Sequence, residues 1–168
     1  DSAATLAEEQ LVLLKDGEAE IVFETVTEHP VLSINRGFSA PVIVDTNRTP
    51  ADLAFLSAHD DDPFARYEAM QQLMLATVTG AITAGRADHR PVVDAIGRTL
   101  ADPALDRAFI AEAVSLPSEA YIGDRMATVD PVAIRQARDA LREAIAVGLA
   151  AEWRAAYGAT AANRFEYS

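Results

Sequence analysis

The densest group of chemistry-bearing side chains in the sequence is His59-Asp60-Asp61-Asp62. Three consecutive carboxylates beside an imidazole would suit a hard cation, but the alternating D-x-D-x-D-G spacing of a calcium loop is absent. A helix boundary explains the same residues. His59 closes one helix, where an imidazolium suits the negative end of the dipole, and the acids open the next. His29, before Pro30, and His89, within Asp88-His89-Arg90, stand at no metal-ligand spacing. Ser39 and Ser118 lack both a G-x-S-x-G setting and a nearby histidine, and Ser118-Glu119 reads as a helix cap. Gly37, Gly80, Gly85 and Gly97 are isolated, so no G-x-G-x-x-G and no P-loop is present. Trp153 and Tyr157 are four residues apart and read as helix core rather than a ligand groove, as do Met70 and Met74. Glu68, Asp94 and Glu119 are scattered acids that only folding could gather into a site. No catalytic, cofactor-binding or metal-ligating residue is assigned from these patterns.

Composition narrows the function classes. The chain has 168 residues, 14 Lys and Arg against 26 Asp and Glu, and a formal charge of −12. A phosphate backbone rewards clustered Lys and Arg, so nucleic acid is not an expected partner. Half the residues are hydrophobic, which is a globular composition. There is no cysteine, excluding disulfides, thiolate zinc sites and cysteine nucleophiles. No apolar run approaches the roughly 20 residues of a membrane-spanning helix. The chain opens on Asp1-Ser2-Ala3-Ala4-Thr5, without an initiator Met or a signal-peptide core, and is expected to be a piece of something larger.

Elements that would position these residues divide into two kinds. Leu11–Leu14, Ile21–Phe23, Val31–Ile34 and Val42–Val44 are short apolar or β-branched runs, punctuated by Asp16-Gly17, Pro30, Gly37 and Pro41, and predict four short strands. So small a sheet needs something to pack against. From Thr49 the punctuation becomes helical. Thr49-Pro50-Ala51-Asp52 combines a cap, a first-turn proline and an acid, a device repeated at Asp62-Pro63, Asp102-Pro103 and Asp130-Pro131, with variants at Arg90-Pro91 and Pro117-Ser118-Glu119. Apolar stripes predict a long helix from Asp62 to a Gly85 cap and another from Asp130 to near Tyr157-Gly158, with shorter helices near 91–101, 104–115 and 118–126. The expected fold is mainly α with a small antiparallel β part: truncated sandwich strands over 1–46, then a helical bundle or α-solenoid-like domain over 47–168.

Two segments carry a more specific signal. Arg36-Gly37-Phe38-Ser39-Ala40-Pro41-Val42 and the run from His59 to Ala69, of the form H-D-x-D-P-F-x-R-[WY]-E-A, resemble the bacterial aminopeptidase N branch of the gluzincin (M1) metallopeptidases. "LADPALDRAFIAEAVSLPSEAYI" and "VDPVAIRQARDALREAI" match in the same order, covering about residues 10–157. The resemblance implies a zinc aminopeptidase that removes N-terminal residues from peptides. In it, zinc activates water and a glutamate serves as base. Those residues belong to an H-E-x-x-H motif with a downstream Glu, and to a G-x-M-E-N type recognition motif. Neither motif occurs in this sequence. The chain is therefore expected to hold neither catalytic residues nor metal. It would carry the end of the small β-sandwich domain and the start of the helical C-terminal domain, scaffolding and lidding the chamber of a cytoplasmic parent. Its partners would be the parent's catalytic domain and, through the parent, peptide substrates; exposed sheet edges could also drive self-association. Two other readings stand beside this one: an independent helical adaptor, and a free-standing enzyme assembled from Glu68, Asp94 and Glu119.

Overall fold

The computed structural model describes residues 11–23, 26–27 and 29–160. The chain forms two units, one ending at Pro30 and one beginning at Val31. In the first, the described residues carry no regular secondary structure. The second opens with a 3-10 turn at Arg36–Phe38 and continues into seven described helices. These are α1 (Pro50–His59), α2 (Pro63–Ala84), α3 (Arg90–Ala101), α4 (Arg107–Ala113), α5 (Glu119–Gly123), α6 (Pro131–Gly148) and α7 (Ala150–Thr160).

Short polar residues start most of these helices by capturing orphan backbone N–H groups. Thr49 and Asp52 form a reciprocal capping box on α1, the Asp52 amide donating to Thr49 Oγ1 at 3.2 Å and the Thr49 amide to Asp52 Oδ2 at 2.8 Å. Asp62, Asp106, Ser118 and Asp130 cap α2, α4, α5 and α6 more simply, each side-chain oxygen accepting first-turn amides without a reciprocal bond. Gly85 ends α2 in the left-handed region at φ 68°, as its position predicts. Asp102-Pro103 does not open a helix. Asp102 closes α3 and accepts the Ala104 amide at 2.9 Å in a turn, so α4 starts later, on the Asp106 cap.

α2 is the central helix, with α1, α3, α4 and α6 packed around it. Met70, Leu73, Met74 and Val78 on its buried stripe meet Leu53 of α1, Ile96 of α3 and Ile134 of α6. Each such side chain contributes about 1.5–3 kcal/mol over leaving it in water. The predicted helix from Asp130 to Tyr157 is two helices, broken at Leu149, whose φ is −119° and ψ 28°. Small residues decide how closely these helices meet α3. A Cβ on Gly148 would lie 2.9 Å from Val93 Cγ1, and one on Gly97 would lie 3.1 Å from Leu149 Cδ2. The two glycines thus receive the two branched side chains across the α3 seam.

The helical part of the expected fold is borne out, but the predicted strands are not seen. None of Leu11–Leu14, Ile21–Phe23, Val31–Ile34 or Val42–Val44 forms a strand among the described residues. A ladder needs a neighbour and a buried face to fix its register. Most of these positions lack a buried face: Leu14 is 72% exposed and Ile43 94%, although Val31 packs against the helical core. The N-terminal stretch up to residue 10, also assigned to sandwich strands, lies outside the described residues.

Candidate functional site

The two signature segments meet in space. Arg36 Nη1 donates to Asp60 Oδ1 at 3.0 Å, and Arg36 Nη2 donates to Asp61 Oδ1. The Gly37 amide donates to Asp62 Oδ2 at 2.9 Å, and the Phe38 ring lies 5.1 Å from that of Phe64. All three aspartates of the corner between α1 and α2 therefore hold one turn. Asp62 Oδ2 also takes the Ala65 amide at 2.8 Å, so one carboxylate oxygen both caps α2 and anchors the turn. Arg36 keeps the Asp61 carboxyl below the usual carboxylate range. Asp60 is buried: its side chain is 1% exposed, and its Oδ1 also accepts the Asp62 amide at 2.9 Å. Arg48 stands nearby, donating to the Leu32 carbonyl at 2.7 Å; burial lowers its pKa, and the charges of Asp60, Glu68 and Asp52 oppose that.

Backbone geometry shapes this turn. Asn35, Gly37 and Phe38 have φ of 60°, 60° and 53°. Gly37 is at home there, and Asn35 is the non-glycine residue that tolerates it best. Asn35 Oδ1 stabilises the bend by accepting the Ala40 amide at 2.9 Å and the Ser39 hydroxyl at 3.2 Å. Phe38 is the strained member, held in place by its ring contact with Phe64 and by its amide bond to the Asn35 carbonyl at 3.1 Å.

Further along the second segment, Arg66 Nε donates to the Ser57 carbonyl at 3.2 Å and its Nη2 to Asp102 Oδ2 at 3.3 Å. It thereby ties the end of α1 to the end of α3. Tyr67 and Glu68 line a cavity of about 390 Å³ together with Gln71, Glu112, Tyr121 and the link Ser115–Ser118. Burial pushes the Tyr67 hydroxyl pKa up, and the charges of Glu112 and Glu68 add to the effect.

Other residues singled out from the sequence lie apart. His59 ends α1 as expected, its ring 4.8 Å from Phe55. His89 precedes α3 without a side-chain capping bond, and Ser118 caps α5 through the Tyr121 amide at 3.1 Å. Of the scattered acids only Glu68 reaches the cavity; Asp94 and Glu119 are exposed on α3 and α5. Trp153 packs against the core, whereas Tyr157 is 75% exposed. Among the described residues no group of three or more His, Asp or Glu is placed to hold a metal ion, so these residues do not fit a zinc site. Arg36, Gln71, Glu112 and Tyr121 are site residues to which the sequence patterns assign no role. The R-G-F turn was the available signal for Arg36, but no spacing rule links it to acids 24 residues on.

From residue 50 to residue 160, the described residues form an all-helical domain packed around α2. Residues 50–168 match the family model DUF3458_C, a domain of unknown function described as ARM repeats, and the chain belongs to that family. Residues 1–47 match DUF3458, a domain of unknown function described as having an Ig-like fold. Aminopeptidase N of Caulobacter vibrioides is 38% identical over 148 residues, 86% of this chain and 17% of that protein. Aminopeptidase N of Escherichia coli K12 is 34% identical over 148 residues, 84% of this chain and 17% of that protein. The chain thus spans about a sixth of the length of these curated relatives, and the aminopeptidase resemblance read from the two signature segments stands. A crystal structure of Legionella pneumophila aminopeptidase A in complex with aspartic acid superposes with a TM-score of 0.83, at 23% identity, over 95% of this chain and 19% of that one. At that identity it speaks for the fold alone.

Proposed function

We propose that the chain is a non-catalytic part of a zinc-dependent M1 aminopeptidase that removes N-terminal residues from peptides in the cytoplasm. The observation that carries this is the pair of aminopeptidase N relatives, which match over most of this chain but only 17% of their own length. The sequence itself has no H-E-x-x-H motif, so hydrolysis and zinc binding belong to residues outside it. Within the parent, the docked Arg36–Phe38 turn would fix how the helical part meets what precedes it, and the helices would wall and lid the peptide chamber.

The test is a comparison of two purified proteins, this chain alone and the chain joined to the upstream remainder. The chain alone is expected to release no p-nitroaniline from alanyl-p-nitroanilide and to retain no stoichiometric zinc by elemental analysis; the joined protein is expected to do both. Chelator-sensitive turnover by the isolated chain would overturn the reading.

A further inference from the structure

We propose that residues 31–39 form a releasable strap, and that Asp60 exchanges one arginine for another as the strap opens. Arg36 holds the carboxylate in the docked state and Arg48 holds it in the released one.

Docking leaves several groups poorly served. Two buried side-chain oxygens lack a hydrogen-bond partner among the described residues: Ser33 Oγ on the strap, and Asp60 Oδ2 in the corner that the strap grips. A buried acceptor without a donor loses its hydration and gets nothing in return. Phe38 adds a left-handed backbone at φ 53°. Against these stand the contacts of Arg36, Gly37 and Phe38 with the corner, and the packing of Val31 on the helical core. The bonds to Asp61 and Asp62 are exposed to solvent, where such contacts contribute least. Release would hydrate Ser33 and relax Phe38.

Release alone would leave Asp60 without its cation, and Arg48 is placed to replace it. The Arg48 backbone is not part of the strap: it precedes Thr49, whose capping box holds the start of α1. Its guanidinium is tied to the strap by the bond from Nη2 to the Leu32 carbonyl, at 2.7 Å. A departing strap therefore takes Arg36 away from Asp60 and Leu32 away from Arg48 together. One motion frees both a carboxylate and a guanidinium. Burial lowers the Arg48 pKa, and among the charges that oppose this Asp60 comes first, ahead of Asp52 in the neighbouring cap. A guanidinium has five N–H donors, enough to serve the Asp60 oxygen that the docked state leaves unmatched. The released state turns residues 31–48 into a free tether ahead of α1, so the exchange sets how freely the first unit moves. The inference does not rest on the peptidase reading.

The experiment follows the Arg48 Nε–H signal of the 168-residue chain by two-dimensional NMR. The amide at position 37, which donates to Asp62, reports whether the strap is docked. Two variants release it. Arg36→Ala removes the gripping cation, and Gly37→Val places a β-branched residue at φ 60° while every charge stays in place. Gly37 lies outside the helical core, so the second variant carries the test even where the first melts early. In both, the amide at position 37 should exchange about tenfold faster, and the Arg48 signal should shift. Adding Asp60→Asn should return the Arg48 signal toward that of an unpaired arginine. In urea unfolding, Arg48→Ala should raise the unfolding constant about tenfold in the Arg36→Ala background and about twofold in the unaltered chain. An Arg48 signal unmoved in a released variant would overturn the exchange, as would equal losses from Arg48→Ala in the two backgrounds. Protection at position 37 that survives in both variants would overturn the strap itself.

Discussion

Arg36 is the residue on which the corner between α1 and α2 depends, because it faces a carboxylate that water scarcely reaches. Removing one partner of a buried pair leaves the other charge uncompensated. Arg36 is itself 27% exposed, which moderates the loss. Arg36→Ala is therefore expected to destabilise the chain by about 2–3 kcal/mol in urea unfolding. Asp61→Asn, at a side chain 76% exposed, should leave the midpoint essentially where it was. A second residue-scale expectation concerns pH. The Arg90 guanidinium beside Asp88 holds its carboxyl at about 2, below its ordinary 3.8. A carboxyl depressed in the folded state favours folding above its unfolded pKa, and that contribution is lost as pH falls through the folded value. NMR titration of Asp88 should show a midpoint near 2 that returns toward the ordinary value in Arg90→Gln. Neither partnership was legible in advance. Asp60 to Asp62 read correctly as a helix corner, but nothing in their spacing announced what they hold.

Helices were the most legible elements, because their caps are local chemistry. Thr49, Asp62, Ser118 and Asp130 all cap where their sequence context predicts. The misses share a cause, which is that tertiary contact overrode a local pattern. The stripe Ile145–Leu149–Trp153 keeps its helical spacing through a break that lets α6 and α7 both pack against α3. Gly148 is where this seam is tightest. Gly148→Ala would gain helix propensity yet press a methyl group onto Val93, and a net loss of about 1 kcal/mol is expected. Adding Val93→Ala removes the obstruction, so Gly148→Ala should become neutral or stabilising in that background. A double-mutant cycle of unfolding free energies measures this coupling directly. The strand runs form no ladder among the described residues, although residues 1–47 match a model described as Ig-like: their alternation is visible in sequence, but a ladder also needs partners, which no local pattern supplies.

At the scale of the whole molecule, charge and apolar exposure pull in opposite directions. A net charge of −12 keeps copies apart, while Ile43, Val132 and Val147 are exposed by 94%, 64% and 74%. We expect self-association to appear as salt screens the charge, with light-scattering mass rising between low and high ionic strength; a strict monomer throughout would count against it. The cavity, too, was only partly readable: Glu68 stood out as an acid, but its meeting with Glu112, Gln71 and Tyr121 is a product of packing. The shared oxygen of Asp62 has a kinetic meaning. Its bond to the Ala65 amide spans three residues and belongs to the start of α2, whereas its bond to the Gly37 amide spans 25. The nearer partner can persist while the farther one lets go. Stability is not uniform across a fold, and the turn is the part that can peel away with the helical core intact. Native-state hydrogen exchange should then see the Gly37 amide open through a low-energy fluctuation, independent of denaturant, while that of Met74 waits for global unfolding. Its attachment makes the turn a local foldon, released well before the helices themselves melt.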